Sequence, residues 1–279
     1  MEALALGKQT FGDNSAEVAV VHNNLGVLYR SKEKYQDAMR SLEESLRIFE
    51  QLGKPYLRHV IATREAIGIT HRLAGRNAEA EKEIRKAIEM AQHNFGENSI
   101  EMYSPTFTLA RYLAYDGNIA RGDELFMQAY RIAYLRKGSK ASELEEIRDA
   151  RTCIVVPQDH DNVGGLLFED KLEDLRKTLG GEDAAPARTV SRGVVNGKAI
   201  SLIKPSYPAN MGNLGKIGAV VVRVLIETDG TVLEARATCG HPDFAKNSVK
   251  AALKSKFSPT LLDGQAVRVN GILVYNFAR

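Results

Sequence analysis

One period runs through the first half of the chain. Leu25-Gly26, Ile67-Gly68 and Leu109-Ala110 stand 42 residues apart. In the same frame fall Ala38, Ala80 and Gly122, then Leu42, Ile84 and Phe126, then Ser45-Leu46, Ala87-Ile88 and Ala129-Tyr130. The segment FGDNS at Phe11–Ser15 returns as FGENS at Phe95–Ser99, two periods on. A fixed period of this length marks stacked supersecondary units. Each unit reads as two amphipathic helices, with Leu25, Leu28 and Tyr29 on one stripe and Ala38, Leu42, Ser45 and Leu46 on the other. Small residues at Gly26, Ala38 and Ser45 let the paired helices approach closely. Neither helix can bury its stripe alone, so stacked neighbours must supply the core. Three units in one phase argue against an irregular helical bundle.

The spacing Leu25-Gly26, Tyr29, Tyr35, Ala38, Leu42, Ser45 resembles the tetratricopeptide repeat. The long connection with its phenylalanine-glycine-acid pattern is similar to the 42-residue kinesin-light-chain type. The third unit departs, with Gly122 at the small alanine position and Leu113 at the tyrosine; both changes are compatible with packing. Ala3-Leu4 fall one period before Ser45-Leu46, so the chain opens inside a second helix. It is therefore expected to be a fragment, with further repeats upstream. Ser142–Val155 stands where a fourth first helix begins and, being more polar, is expected to cap the solenoid. The resemblance implies a peptide groove lined by the first helices. The matching positions include Asn23, Arg30, Glu65, Arg72, Phe107 and Arg111. The arginines favour an acidic ligand, because guanidinium forks pair with carboxylates. A merely solvated helix face is the alternative.

Residues 156–198 have no repeat phase, and 156–192 reads as a linker with a short helix. Phe168, Leu172, Leu175 and Leu179 form its stripe, and Gly180-Gly181 ends it. The stretch 182–192 reads as flexible, which puts helical repeats at 1–155 and a second domain at 193–279. With 44% hydrophobic and 26% charged residues the chain suits a globular protein. It has no apolar window long enough to span a membrane, and MEALALGKQTFG lacks the form of a signal peptide. The net charge is +3, with ten Lys/Arg against five Asp/Glu from Ala199 onward. That basic excess is too small, and too poor in aromatic–basic patches, to indicate nucleic acid. Cys153 and Cys239 fall in what read as different units, so they are taken as two idle thiols. Two cysteines do not identify a redox compartment.

The second domain reads as strand, strand, helix, strand. In Ala219–Glu227, Val220, Val222, Val224 and Ile226 face one way. Asp229-Gly230 signals a hairpin, and Val232–Thr238 returns. A two-residue turn pairs Ile226 with Leu233, Val224 with Ala235 and Val222 with Ala237, all apolar and on one face. The other face receives Arg223 opposite Arg236; like charges repel there, so that face is expected to be wet. Pro242 and Asp243 suit a helix start, and Phe244, Ser248, Val249, Ala252 and Leu253 form its buried stripe. The final strand is Ala266–Phe277. The expected architecture is an all-α solenoid followed by a small α+β domain, a three-stranded antiparallel sheet with a helix across one face.

Along its whole length this domain resembles the TonB C-terminal domain. The residues that carry the likeness are the Pro205-Ser206-Tyr207-Pro208 entry, Gly218–Val222 leading into Asp229-Gly230-Thr231-Val232, Gly240-His241-Pro242, Lys256–Pro259, and Gly264 with Val274–Phe277. TonB proteins couple the inner-membrane proton-motive force to outer-membrane transporters. The resemblance implies that an extended transporter peptide, the TonB box, adds as a strand to a sheet edge. By that resemblance the edge is Arg268–Phe277, with Arg268, Val269, Asn270, Ile272, Val274 and Asn276 as contact candidates. Lys204, Pro205, Tyr207 and Pro208 would lie beside the peptide. Many members carry glutamine where this chain has Lys204, and for Tyr207 and Pro208 the alternative is purely structural: a ring packed on the sheet and a rigid turn. The family's N-terminal anchor and proline-rich spacer have no counterpart here; repeats stand in their place.

The resemblance implies a periplasmic or cell-envelope protein that partners an outer-membrane TonB-dependent transporter and, through an upstream region, inner-membrane proton-channel subunits. The repeats would then be spacer or docking surface. The competing reading is a periplasmic scaffold without energy transduction. An enzyme is not expected: there is no phosphate loop, GxSxG or HExxH. No cofactor or metal is expected either. Cys153 with His160 or His241 would be the sole nucleophile pair to consider.

Overall fold

A computed structural model describes residues 2–155, 163–180, 189–195, 198–207 and 218–277. The chain divides into two compact units, Met1–Leu113 with Ala120–Ala141, and Ala114–Ile119 with Ser142–Arg279.

The first unit is built of antiparallel helices: α1 (Glu2–Phe11), α2 (Ala16–Ser31), α3 (Tyr35–Leu52), α4 (Leu57–Leu73), α5 (Asn77–Phe95), α6 (Tyr103–Tyr115) and α7 (Ile119–Lys137). Ser15 caps α2 by accepting a hydrogen bond from the Val18 N–H at 3.3 Å. The 42-residue phase is a packing phase. A Cβ at Gly26 would lie 2.5 Å from Leu42 Cγ, and one at Gly68 would lie 2.6 Å from Ile84 Cγ1. Leu42 and Ile84 fill those seats; they and Phe126, one period on, are fully buried, each worth roughly 1.5–3 kcal/mol of burial. The Ser45 hydroxyl, also fully buried, donates to the Ala19 carbonyl at 2.8 Å and fastens α3 to α2. Leu28 departs from the expected stripe: it is 47% exposed, and α2 buries Val18, Ala19 and Gly26 instead.

The second unit holds α8 (Ser142–Val155), α9 (Val163–Thr178), β1 (Thr189–Val194), β2 (Ala199–Ser201), β3 (Gly218–Ile226), β4 (Val232–Cys239), α10 (Pro242–Leu253), β5 (Lys256–Phe257), β6 (Thr260–Leu262) and β7 (Gln265–Phe277). The main sheet runs β1-β7-β3-β4, with β6 turned back on β7. The expected three antiparallel strands are present as β7-β3-β4, with β4 at the sheet's edge. To them the structure adds β1, paired parallel with β7. Residues 189–192, read in the sequence as flexible linker, begin that strand; 182–188 lie outside the described residues. Of the expected α9 stripe, Phe168, Leu172 and Leu175 are buried, while Leu179 lies past the helix end and is half-buried; the Arg151 guanidinium lies 4.7 Å from the centre of the Phe168 ring.

On one face of the sheet, α10 packs Phe244, Ala251 and Ala252 against Val220, Val222, Val224, Leu273, Tyr275 and Phe277. Leu253, expected in the buried stripe, is 45% exposed; Ala251 and Ser255 take the buried positions. The β3–β4 hairpin keeps Val224 opposite Ala235, Arg223 opposite Arg236 and Val222 opposite Ala237, as the alternation requires. Near the turn it differs. The register shifts between Leu225 and Ile226, so Ile226 pairs with Val232 and Leu233 is left half exposed. The turn is the cause. Glu227 N–H donates to Thr231 O, leaving a three-residue loop that ends on Gly230 at φ 85°. Such loops place a bulge beside the left-handed glycine. The Asp229 carboxylate accepts from the Thr231 N–H at 2.9 Å and holds the turn.

Candidate peptide-binding sites

The β7 edge comes first, since the resemblance placed six contact residues there. Alternation sends Val269, Leu273, Tyr275 and Phe277 into the core beneath α10, while Ile272 and Val274 join Val221 and Cys239 on the opposite face. Asn270 and Asn276 are exposed. Arg268 is engaged within the domain: its Nε and Nη2 donate to both carboxylate oxygens of Glu227 at the end of β3, at 2.6 to 3.0 Å. Those donors, with the Thr228 N–H, hold the Glu227 carboxyl down to about 2. The far side of this edge is taken. β1 lies along it in the parallel sense, Thr189 opposite Arg268, Val190 opposite Val269, Ser191 opposite Asn270 and Val194 opposite Ile272. Val195 N–H then donates to the Ile272 carbonyl at 2.9 Å.

The entry segment is laid along α10. The Asn247 side chain donates to the Ser206 carbonyl at 2.9 Å, and the Ile203 N–H donates to the Ser255 hydroxyl at 3.0 Å. The Tyr207 ring meets Phe244 edge-on with centroids 5.0 Å apart, and Phe244 in turn meets Phe277. The Tyr207 ring is thus packed against α10, where the alternative had it on the sheet. Lys204 is exposed and Pro205 half-buried; Pro208 lies outside the described residues.

The second face of the sheet, expected to be wet, is covered by α8 over Arg223, while Arg236 keeps its exposure to solvent. Glu145 and Asp149, one helical turn apart, meet the facing arginines: Arg236 Nη2 donates to Glu145 and to Asp149 at 3.0 Å each, and Arg223 Nε lies 3.4 Å from Asp149. Arg223 also donates to the Thr152 hydroxyl at 3.0 Å. Like charges across two strands are tolerable when acids stand over both; solvent at Arg236 accounts for only part of the face, and Glu145 and Asp149 supply the rest. Next on the same helix, Cys153 forms a disulfide with Cys239 of β4, Cα atoms 5.5 Å apart. The reading of two idle thiols is thereby corrected, and Cys153 has no thiol to serve as a nucleophile. His160 lies outside the described residues. The capping expectation for Ser142–Val155 also changes, because the helix belongs to the compact unit of the sheet. A signal for this existed in the sequence: acids at 145 and 149, with a cysteine at 153, share one helix face opposite an otherwise unexplained arginine pair.

In the repeat unit the predicted first-helix arginines gather. Arg30 donates to the Ala66 carbonyl at 3.3 Å. Arg72 stands 5.1 Å from the Tyr112 ring centre, and Arg111 stands 5.7 Å from that of Phe107. Burial raises the Tyr112 phenol, while Arg111, Arg72 and Arg30 all act to lower it, so the three share one neighbourhood. Glu65 faces the same group but is buried, accepting from the Ser104 and Thr108 hydroxyls at 2.8 and 2.7 Å. Burial pushes its carboxyl above the usual range, against those two bonds and Arg30. It ties α4 to α6 and offers nothing to a ligand. Asn23 is half-buried on α2.

Parts of the chain are similar to known families. No curated protein matches the chain. Among solved structures, BtubC (BKLC) from P. vanneervenii is 17% identical, with 68% of this chain and 76% of that chain covered and a TM-score of 0.49. Two structures of a Podosopora anserina putative kinesin light chain with nearly identical TPR-like repeats are 12% and 14% identical. They cover 63% and 65% of this chain and 83% and 84% of theirs, with TM-scores of 0.47 and 0.46. Two tetratricopeptide-repeat family models match residues 1–51 and 56–101. A model of the Gram-negative bacterial TonB protein C-terminal matches residues 203–278. The chain thus joins tetratricopeptide repeats to a TonB C-terminal domain.

Proposed function

We propose that this protein is a non-catalytic cell-envelope binding protein whose C-terminal domain captures an extended peptide by strand addition to β7. The peptide is the TonB box of an outer-membrane transporter, and the repeats serve as spacer or docking surface. The observation that carries this reading is the edge itself: between Arg268 and Ile272, β7 accepts a parallel strand through backbone hydrogen bonds. Main-chain pairing supplies the grip in strand addition, and alternate side chains supply selectivity. The Cys153–Cys239 disulfide supports an oxidising compartment, as the periplasm is.

Energy transduction would further require coupling to an inner-membrane proton channel. No helix among the described residues is long and apolar enough to cross a membrane. The second reading, a periplasmic adaptor without transduction, is favoured by the arginines gathered around Tyr112, which suit a second, acidic partner.

The test is a pull-down of the protein against outer-membrane proteins, followed by titration with a transporter-derived box peptide. Recovery of a TonB-dependent transporter, with shifts in the β7 amides, is expected. Failure to recover any such transporter, with unmoved β7 amides both in the unmodified chain and in one whose residues 189–195 are replaced by a glycine-serine stretch, would overturn strand addition. Replacing Arg30, Arg72 and Arg111 by alanine separates the two surfaces, since it leaves the box peptide's affinity unchanged.

A further inference from the structure

The strand that fills the β7 edge belongs to the chain itself. β1 is distant from β7 in sequence and arrives through the segment that follows α9. Its ladder is short and irregular between Ser191 and Val194, whereas the β3–β7 ladder runs without a shift from Gly218 to Ile226. One side chain anchors its end. Val195 is 2% exposed and belongs to the core beneath α10. It fits there because β7 carries glycine at 271: a Cβ on Gly271 would lie 2.9 and 3.0 Å from the two Val195 methyls. The sheet therefore has a seat for one aliphatic side chain beside the strand-accepting edge, and residue 195 occupies it.

We propose that β1 is a tethered occupant of the strand-addition edge, which an external peptide must displace. This rests on the strand-addition reading above and adds its regulation and a requirement on the ligand. The incoming peptide runs parallel to β7, as β1 does, and places an aliphatic residue over Gly271. A tethered strand competes at an effective concentration on the order of millimolar. The apparent affinity of an external strand is then lowered by the fraction of time the edge stands open. Only ligands that form the ladder and fill the seat displace β1; a peptide with one of these two features does not.

The probe is a fluorescent peptide of the chain's own residues 187–196, ARTVSRGVVN, titrated against the full-length chain by anisotropy. In the Val195→Asp variant the internal strand is expelled, and the peptide is expected to bind at least about tenfold more tightly than to the unmodified chain. It should also protect the Arg268–Ile272 amides from exchange. Val195→Ala should fall between the two. A peptide with aspartate at the place of Val195 should bind neither form. If Val195→Asp does not fold, replacement of 189–195 by a glycine-serine stretch of equal length takes its part, with the same expected gain. Equal peptide affinity for the unmodified chain and the opened variants, with the amides protected in each, would overturn the tethered occupant and leave strand addition standing. Absence of binding to any folded variant would overturn strand addition at this edge as well.

Discussion

At the scale of single residues, three positions carry more than their neighbours. Glu33, Gly75 and Gly117 end the first helix of successive units with φ of 59°, 76° and 84°. The first of them has a Cβ where the left-handed region disfavours one, at about 1–2 kcal/mol. Glu33→Gly should raise the melting temperature of the repeat unit, the gain being trimmed by glycine's greater freedom when unfolded. A lowered midpoint in thermal unfolding would contradict this account of the turn. Gly230 is constrained twice, by its φ of 85° and by the Phe257 carbonyl, which a Cβ would overlap. Phe257 N–H also donates to Gly230 O at 2.8 Å, so the loop cannot move away without breaking that bond. Gly230→Ala is expected to cost at least about 2 kcal/mol in urea unfolding. Glu227 supplies a pH dependence. Its folded carboxyl sits at about 2 against an ordinary 4.5, so the stabilisation is present above 4.5 and is lost as pH falls toward 2. Glu227→Gln should flatten the stability profile in that acid window and leave it unchanged in shape between pH 6 and 8.

At the scale of elements, local patterns were legible and distant pairings were not. The repeat phase, the alternation of β3 and most of the α10 stripe follow from periods of 3.6 and 2, which a sequence displays directly. The turn was read one residue too short because Asp-Gly serves both two-residue and bulged three-residue hairpins. The candidate edge was legible as a strand, yet its occupancy was not. Residues 189–195 are short, carry Gly193 and follow a polar stretch, so nothing local marks them as the fourth strand. The helix α8 shows the same limit. Its polarity reads as solvent exposure until Arg223 and Arg236 are placed beneath it. The disulfide from α8 to β4 closes a loop over a sequence separation of 86, so its loss should destabilise the C-terminal unit by about 2–5 kcal/mol. Cys153→Ser, compared with the oxidised parent by urea unfolding, measures this. No change in midpoint would mean that the ion pairs alone hold α8.

At the scale of the molecule, each compact unit has its own core, and the boundary of the second matters for its stability. Residues 203–278 carry the family match, but the sheet they form is closed by segments that precede it: β1 on the β7 edge and α8 over the face bearing Val221, Ile272 and Val274. A chain cut to 189–279 would keep β1 and lose α8. It would uncover that apolar cluster, leave Arg223 opposite Arg236 without Glu145 and Asp149, and free the Cys239 thiol. A chain of 142–279 keeps all three. We expect 142–279 to unfold in one cooperative transition at higher urea than 189–279, as surface freed of α8 no longer contributes burial at roughly 25 cal/mol per Å². The shorter chain should also gain stability with added salt, which screens the exposed arginine pair. The longer one should respond in the opposite sense, because salt weakens its attractions to Glu145 and Asp149. Equal midpoints and equal salt responses would mean that α8 rests on the sheet without stabilising it.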